Sequence, residues 1–167
     1  MRELYFNAGT GTGVLSAVFA GLAINQGYSL LAALLALGSL AAITYTESRS
    51  RQEGRDRQEK FLITFSAIFY EVVMLVGLLV TEPVSIHLAV LVLAVIFASE
   101  ALSLELLQEM QQNFELALGS EIRVIAVAVT FFASYFNPAY LYWGTLLVGL
   151  IAFYDFGDIL RQVYTEI

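Results

Sequence analysis

Long, nearly uncharged apolar runs dominate this sequence and most constrain what the chain can fold into. A membrane-spanning helix needs about 20 apolar residues, and several runs approach that length. The six runs cover residues 11–24, 28–45, 61–80, 85–106, 121–136 and 139–158. Because they are continuous rather than alternating, they favour helices over a barrel of strands. The sequence therefore predicts an all-α integral membrane protein, a single domain built as a six-transmembrane-helix bundle.

Composition agrees with a membrane location and excludes several kinds of site. Hydrophobic residues make up 59% of the chain and charged residues only 14%, whereas a soluble domain is about half apolar and a quarter charged. With no cysteine and the single histidine His87, the chain offers no thiolate or multi-histidine metal site. The formal net charge of −7 argues against a nucleic-acid partner, which requires a basic surface.

The basic residues predict how the six runs are oriented. Arg2 precedes the first run, five basic residues lie within 49–60, Arg123 opens the fifth run and Arg161 follows the sixth. If all six runs cross the bilayer, every basic residue falls on one side, which the positive-inside rule makes cytoplasmic. We therefore expect a multi-pass protein of the cell membrane with both termini in the cytoplasm.

The connectors between the runs differ in length on the two sides. On the side without basic residues they are short turns, at 25–27, 81–84 and 137–138, with Asn, Gly or Pro in each. On the cytoplasmic side they are 46–60 and 107–120. We expect 46–60 to be a charged loop at the lipid headgroups, and 107–120 to be helical.

Three stretches carry a resemblance to a known family. FNAGTGTGVLSAVFAGLAINQGYSLLAALLALGSL (6–40) is similar to an opening P-N-x-x-T and two hydrophobic helices. EKFLITFSAIFYEVVMLVGLL (59–79) resembles a third helix, and LGSEIRVIAVAVTFFASYFNPAYLYWGTLLVGLIAFYDFGDILRQV (118–163) resembles the last two. The family is that of the CDP-alcohol phosphatidyltransferases, six-helix membrane enzymes that make phospholipids. The resemblance lies in the order and spacing of the hydrophobic helices. It implies the fold of this family and a dimer through the third and fourth helices.

The family's signature, D-x-x-D-G-x-x-A-R-x8-G-x3-D-x3-D, has lost its aspartates in this chain. With Arg51 in the place of the signature arginine, the first two aspartate positions are Ile43 and Thr46. Matching the third helix puts the last two at Ile63 and Ala67. In the family these aspartates bind a divalent metal and the cytidine diphosphate group, and Mg²⁺ requires hard oxygen ligands. We therefore expect no catalytic residue and no metal cofactor at these positions.

Three arginines remain where the resemblance assigns a function. Arg51 takes the signature position, and Arg123 and Arg161 match basic residues that hold the phosphate of a phosphorylated acceptor. The resemblance thus implies an anion or lipid-headgroup pocket on the cytoplasmic side. Its ligand would be a membrane lipid or an anionic or phosphorylated small molecule.

Acidic residues inside the apolar runs form a second group of candidates, made up of Glu71, Glu100 and Asp155. Glu71 lies near the middle of the third run, where an ionised carboxylate must be partnered or protonated. It is either a functional group or a neutral acid that hydrogen-bonds to Ser39, Ser66 or a tyrosine. Glu100 either pairs with Arg123 or Arg161, or lines an inward-facing carboxylate cavity with Glu71 and Asp155.

Three hypotheses follow. In the first, the chain is a catalytically degenerate relative that keeps the anion pocket and acts as a binding protein, a homodimer or the partner of an active paralogue. In the second, it is an active transferase whose metal, Mg²⁺ or Mn²⁺, has moved to Glu71, Glu100 and Asp155. In the third, it is a small proton-coupled transporter that uses Glu71, although no inverted repeat of the kind found in many transporters is visible.

Overall fold

The part of the chain that the structure describes is entirely helical. The computed structural model describes residues 2–53, 57–81, 84–110 and 117–166. Within these ranges the helices are α1 (Arg2–Asn25), α2 (Ser29–Glu53), α3 (Arg57–Leu79), α4 (Ile86–Met110), α5 (Ala117–Ser134) and α6 (Tyr140–Glu166). The predicted all-α fold is confirmed for these residues.

The predicted turns after the first and fifth runs are confirmed. After α1, Gly27 has a φ of 82°, a left-handed conformation that glycine adopts at little cost. The Tyr28 amide then donates a hydrogen bond to the Ala23 carbonyl at 2.8 Å, which closes the helix end. After α5, the Asn137 side chain accepts a hydrogen bond from the Ala139 amide at 2.9 Å. Side-chain bonding of this kind is why asparagine favours turns.

The prediction that residues 46–60 form a loop is wrong for most of this segment. Helix α2 continues to Glu53 and α3 begins at Arg57. Apolarity alone set the predicted boundary, but Glu, Gln and Arg are also good helix formers. Glu47 and Arg51 are four residues apart, a spacing that supports a helix in water. The prediction that 107–120 is helical holds at both ends, in α4 and α5, and residues 111–116 lie outside the described part.

Helices α1, α2 and α5 pack side by side with alternating direction. The Ser39 hydroxyl of α2 donates a hydrogen bond to the Gly13 carbonyl of α1 at 2.6 Å. Between α2 and α5, Ser29 lies 2.9 Å from Ser134 at one end. At the other end, Thr44 donates to Glu121 across 3.5 Å. Because the start of α2 meets the end of α5 and a later part of α2 meets the start of α5, the two helices are antiparallel.

Helix α3 runs parallel to α1 and packs against it at a glycine pair. A Cβ on Gly77 would overlap the backbone of Gly21, so the two backbones meet directly at this crossing. The next helix, α4, packs mainly on α6 rather than on α3. Because α3 is parallel to α1, and α5 is antiparallel to α2, helices α1, α3 and α5 all end at the same end of the bundle. The three short connectors follow these helices, and we call this end the short-turn end.

Between α1 and α2 the bundle interior is filled mainly by small residues. Ala17, Ala20, Ala32 and Ala36 are fully buried, which lets those two helices approach closely. The exterior, by contrast, carries exposed apolar side chains on every helix. Helical segments at Ala8–Asn25, Ser29–Thr46 and Tyr140–Arg161 are long and apolar enough to cross a membrane. For these three segments, the prediction of helices with the length and apolarity of a membrane span is confirmed.

Candidate functional site

A buried cluster of three charged side chains lies inside the bundle, and we call it the charged triad. It consists of Glu71 from α3, Arg123 from α5 and Asp155 from α6. The side chains of Glu71 and Arg123 are 2% and 3% exposed, and that of Asp155 is 19% exposed. Since charged groups are almost never buried this deeply without a partner, their mutual contacts define the site.

Helical spacing places each charge on the inward face of its helix. On α3, Glu71 shares the buried face of Leu75 and Leu78, four and seven residues further on. On α5, Arg123 precedes the buried Val127 by four residues. On α6, Asp155 follows the fully buried Ala152 by three. The same periodicity that builds the apolar core therefore directs the three charges towards one another.

The guanidinium group of Arg123 is shared between the two carboxylates. Its Nε and Nη2 atoms donate to the two oxygens of Glu71, with 3.2 Å between Nη2 and Oε2. Its Nη1 atom donates to Asp155 Oδ2 at 2.6 Å. The Glu71 contact is bidentate, the geometry in which a planar guanidinium binds a carboxylate best. When all three groups are ionised, their charges sum to −1.

The triad lies well inside the helices, away from the short-turn end. At a rise of about 1.5 Å per residue, Glu71 is about 12 Å from the end of α3 at Leu79. By the same count, Arg123 is about 17 Å from the end of α5 at Ser134, and Asp155 is about 23 Å from the start of α6 at Tyr140. The sequence analysis placed Arg123 at the start of the fifth span. In the structure α5 begins six residues earlier, at Ala117, and Arg123 is buried inside the bundle.

The first two positions that correspond to lost aspartates are packed against α1. Ile43 and Thr46 are both buried. A Cβ on Gly13 would lie 2.6 Å from Ile43 Cγ1, and one on Gly9 would overlap Thr46 Oγ1. The Thr46 hydroxyl donates to the Ala42 carbonyl of its own helix at 2.7 Å. Gly9 and Gly13 thus let α1 pack closely on α2, and contacts between these two helices fill this place.

The remaining predicted residues are not brought into the triad by any described contact. The side chains of Arg51, Ile63, Ala67 and Glu100 lie outside the described part of the chain. Arg161 is exposed on α6, six residues beyond Asp155. Among the described residues, no group of three histidine, aspartate or glutamate side chains could hold a metal ion.

Sequence reasoning identified the members of the triad but not the bond that unites them. The alternative in which Glu71 is a neutral acid bonded to Ser39 is wrong, because Glu71 binds Arg123 and the Ser39 hydroxyl is bonded to the Gly13 carbonyl. A usable signal was present, since Arg123 is the only basic residue between Lys60 and Arg161. A charge inside an apolar span needs a partner of opposite sign, and Glu71 and Asp155 were both available.

Comparison with protein-family models, with curated proteins and with solved structures gave no match to this chain.

Proposed function

We propose that the chain is a multi-pass cell-membrane protein related to the CDP-alcohol phosphatidyltransferases that has lost their metal and nucleotide chemistry. Six helices of alternating direction support six crossings, with α3 and α4 contributing the shorter apolar segments Ile68–Leu79 and Ile86–Ser99. Exposed Tyr135, Tyr140 and Trp143 lie at the short-turn end, as expected of side chains at a membrane–water interface. In this proposal the short-turn end faces outward and both termini are cytoplasmic.

The observation that carries the proposal is the packing of Ile43 and Thr46. In the register set by Arg51, these residues stand where the family binds its metal and cytidine diphosphate. Both face glycines of α1 at distances that leave no room for a carboxylate, a metal ion and a nucleotide. An active site at this position would require α1 and α2 to separate.

The contacts of Arg123 within the triad also argue against the family's phosphate-binding role for this residue. In the family the matching basic residue holds an acceptor phosphate, but in this chain three donor nitrogens of Arg123 are bonded to carboxylates. A phosphate at Arg123 would have to displace Glu71 or Asp155, and the net negative charge of the triad opposes its approach. We therefore assign Arg123 the role of joining α3, α5 and α6.

The function that remains is non-catalytic binding at the cytoplasmic membrane surface. Five basic residues lie within 49–60, and Arg161 is exposed on α6. Each such residue contributes about 1 kcal/mol to binding an anionic lipid surface. In this proposal the protein binds anionic lipid or a phosphorylated small molecule through Arg51 and Arg161, as a homodimer or as the partner of an active paralogue.

The test is a transferase assay on the purified protein in nanodiscs. A CDP-lipid is supplied with Mg²⁺ or Mn²⁺, and release of CMP is measured against empty nanodiscs. We expect no release above background, and we expect anionic lipid to raise the melting temperature of the wild type but less that of Arg161→Gln. Metal-dependent release of CMP would overturn the proposal. Loss of that release in Glu71→Gln and Asp155→Asn would identify the carboxylates as a relocated metal site.

A further inference from the structure

Glu121 of α5 is an acidic side chain at the line where α5 meets α2. It is half-buried, and its Oε1 atom accepts a hydrogen bond from the Thr44 hydroxyl of α2 across 3.5 Å. Within the described part of the chain this is its single polar contact, and it forms no ion pair there. A carboxylate can accept several hydrogen bonds, so one long bond leaves most of its capacity for a ligand.

The surface beside Glu121 is apolar and exposed. On α5, Ile122 follows it directly, and Ile125 lies one helical turn further on the same side; both isoleucines are exposed. On α2, Ala41 lies one turn before Thr44 and is exposed as well. In the proposed topology these side chains contact lipid, so Glu121 lies where lipid molecules touch the protein.

The level of Glu121 along the bundle is that of the headgroups in the cytoplasmic leaflet. Its partner Thr44 adjoins Tyr45, which is exposed, as is Tyr28 at the short-turn end. Tyr45 follows Tyr28 by seventeen residues, about 26 Å of helix, whereas the hydrocarbon core of a bilayer is about 30 Å thick. Tyrosines at this separation are typical of the two membrane–water interfaces. A lipid headgroup therefore reaches Glu121 from the inner interface.

The charges near Glu121 favour a headgroup that carries a cation. The next charged residue after Thr44 on α2 is Glu47, which is also acidic. The nearest basic residue on α5 is Arg123, two residues on and about 200° around the helix, where it donates to the two carboxylates of the triad. An ammonium group forms a charge-assisted hydrogen bond with a carboxylate, whereas a headgroup without a cation meets only repulsion.

A primary amine fits these two side chains better than a quaternary one. Its N–H groups can donate to both the Glu121 carboxylate and the Thr44 oxygen, whereas a choline group has no N–H to donate. We propose that Glu121 and Thr44 bind the ammonium group of an aminophospholipid of the cytoplasmic leaflet, of the phosphatidylethanolamine type.

The site is separate from those on which the proposed function depends. The loss of transferase chemistry rests on the contact of α1 with α2 at Ile43 and Thr46, and the proposed anion binding rests on Arg51 and Arg161. A failed aminophospholipid experiment leaves the CMP release assay and the effect of Arg161→Gln unchanged, and the converse also holds.

The experiment measures which lipid stays bound to the whole protein. Nanodiscs contain equal parts of phosphatidylethanolamine, phosphatidylcholine and phosphatidylglycerol with matched acyl chains, and native mass spectrometry counts the lipids retained per chain. We expect one retained phosphatidylethanolamine, enriched about tenfold over phosphatidylcholine, since a hydrogen bond to a charged group has about that effect on affinity. The melting temperature should rise when phosphatidylethanolamine replaces phosphatidylcholine, and it should not rise when soluble ethanolamine is added instead.

Two variants and two controls make the test specific. Glu121→Gln keeps the shape of the side chain without its charge and should abolish the enrichment, and Thr44→Val should reduce it. As controls, Asp158→Asn removes an exposed carboxylate of α6, and Thr12→Val removes a hydroxyl of α1 that is bonded to the Ala8 carbonyl. Both controls should keep the enrichment. Equal retention of the three lipids, an enrichment that survives in Glu121→Gln, or equal stabilisation by soluble ethanolamine would overturn the proposal.

Discussion

Arg123 binds two carboxylates inside the bundle, so its loss should be the most damaging single change in the triad. In Arg123→Gln, Glu71 and Asp155 stay behind with two negative charges and no cation among the three positions. Removing one partner of a buried ion pair costs about 3–5 kcal/mol. At about 2–4 °C per kcal/mol for a chain of this size, the melting temperature should fall by about 6–20 °C.

The same charge count predicts an asymmetry between the members of the triad. Asp155→Asn leaves Glu71 and Arg123 as a neutral bidentate pair, so its cost should be well below that of Arg123→Gln. Replacing all three residues together, as Glu71→Leu, Arg123→Met and Asp155→Leu, removes every charge. A buried ion pair replaced by apolar groups of similar size is often as stable or more stable. The triple variant should therefore be more stable than Arg123→Gln.

The free energy of unfolding is measured by denaturant titration in mixed micelles, followed by far-ultraviolet circular dichroism. Tyr154→Phe is the matched control, because Tyr154 is 76% exposed on α6 and its replacement should change stability little. A loss below about 1 kcal/mol for Arg123→Gln would refute the buried triad, since even one unsatisfied buried charge costs more. A triple variant as unstable as Arg123→Gln would instead show that packing, rather than unbalanced charge, causes the loss.

Three further predictions concern packing and topology. Gly77→Ala should lower stability by about 1–3 kcal/mol by separating α1 from α3, whereas Gly38→Ala, whose Cβ would meet nothing within 4 Å, should be neutral or slightly stabilising in the same titration. Ile43→Asp should destabilise the protein by leaving a buried carboxylate unpaired, and it should not produce metal-dependent release of CMP; appearance of that activity would contradict the packing argument. Because the chain has no cysteine, Asn25→Cys and Asn137→Cys should react with an impermeant maleimide from outside intact cells, and Arg161→Cys only after lysis; the reverse pattern would invert the proposed orientation.

The helices and turns were predictable because they depend on local chemistry. Continuous apolar runs predicted all six helices, and the residues at 25–27 and 137–138 predicted the turns between them. The continuation of α2 to Glu53 was not predictable from the same signal, since apolarity reports the surroundings of a segment rather than its conformation. The sequence becomes charged after Thr46, whereas helix α2 continues to Glu53.

The members of the triad were predictable singly, but their arrangement was not. Arg123 is 52 residues from Glu71 and 32 from Asp155, and nothing local indicates which helices will be neighbours. In the sequence, the glycines at 9 and 13 were the only sign of the close contact between α1 and α2 at Ile43 and Thr46. The packing of α4 against α6 rather than against α3, its neighbour in sequence, was not visible in the sequence either.

In the proposed topology of six membrane crossings, the positions of the three charges along the chain have a consequence for biosynthesis. A lone arginine or aspartate at the centre of a helix costs about 2.5–3.5 kcal/mol on entering the bilayer from the translocon. Helix α3, with Glu71, is made first, so α5 emerges to meet a carboxylate that is already in place, and the two together are neutral. Helix α6 follows with Asp155 and an unbalanced charge. A ribosome that pauses after α5 would therefore leave Glu71 and Arg123 as a neutral pair, whereas a chain that ends before Arg123 would leave Glu71 without this guanidinium and become a substrate for membrane quality control.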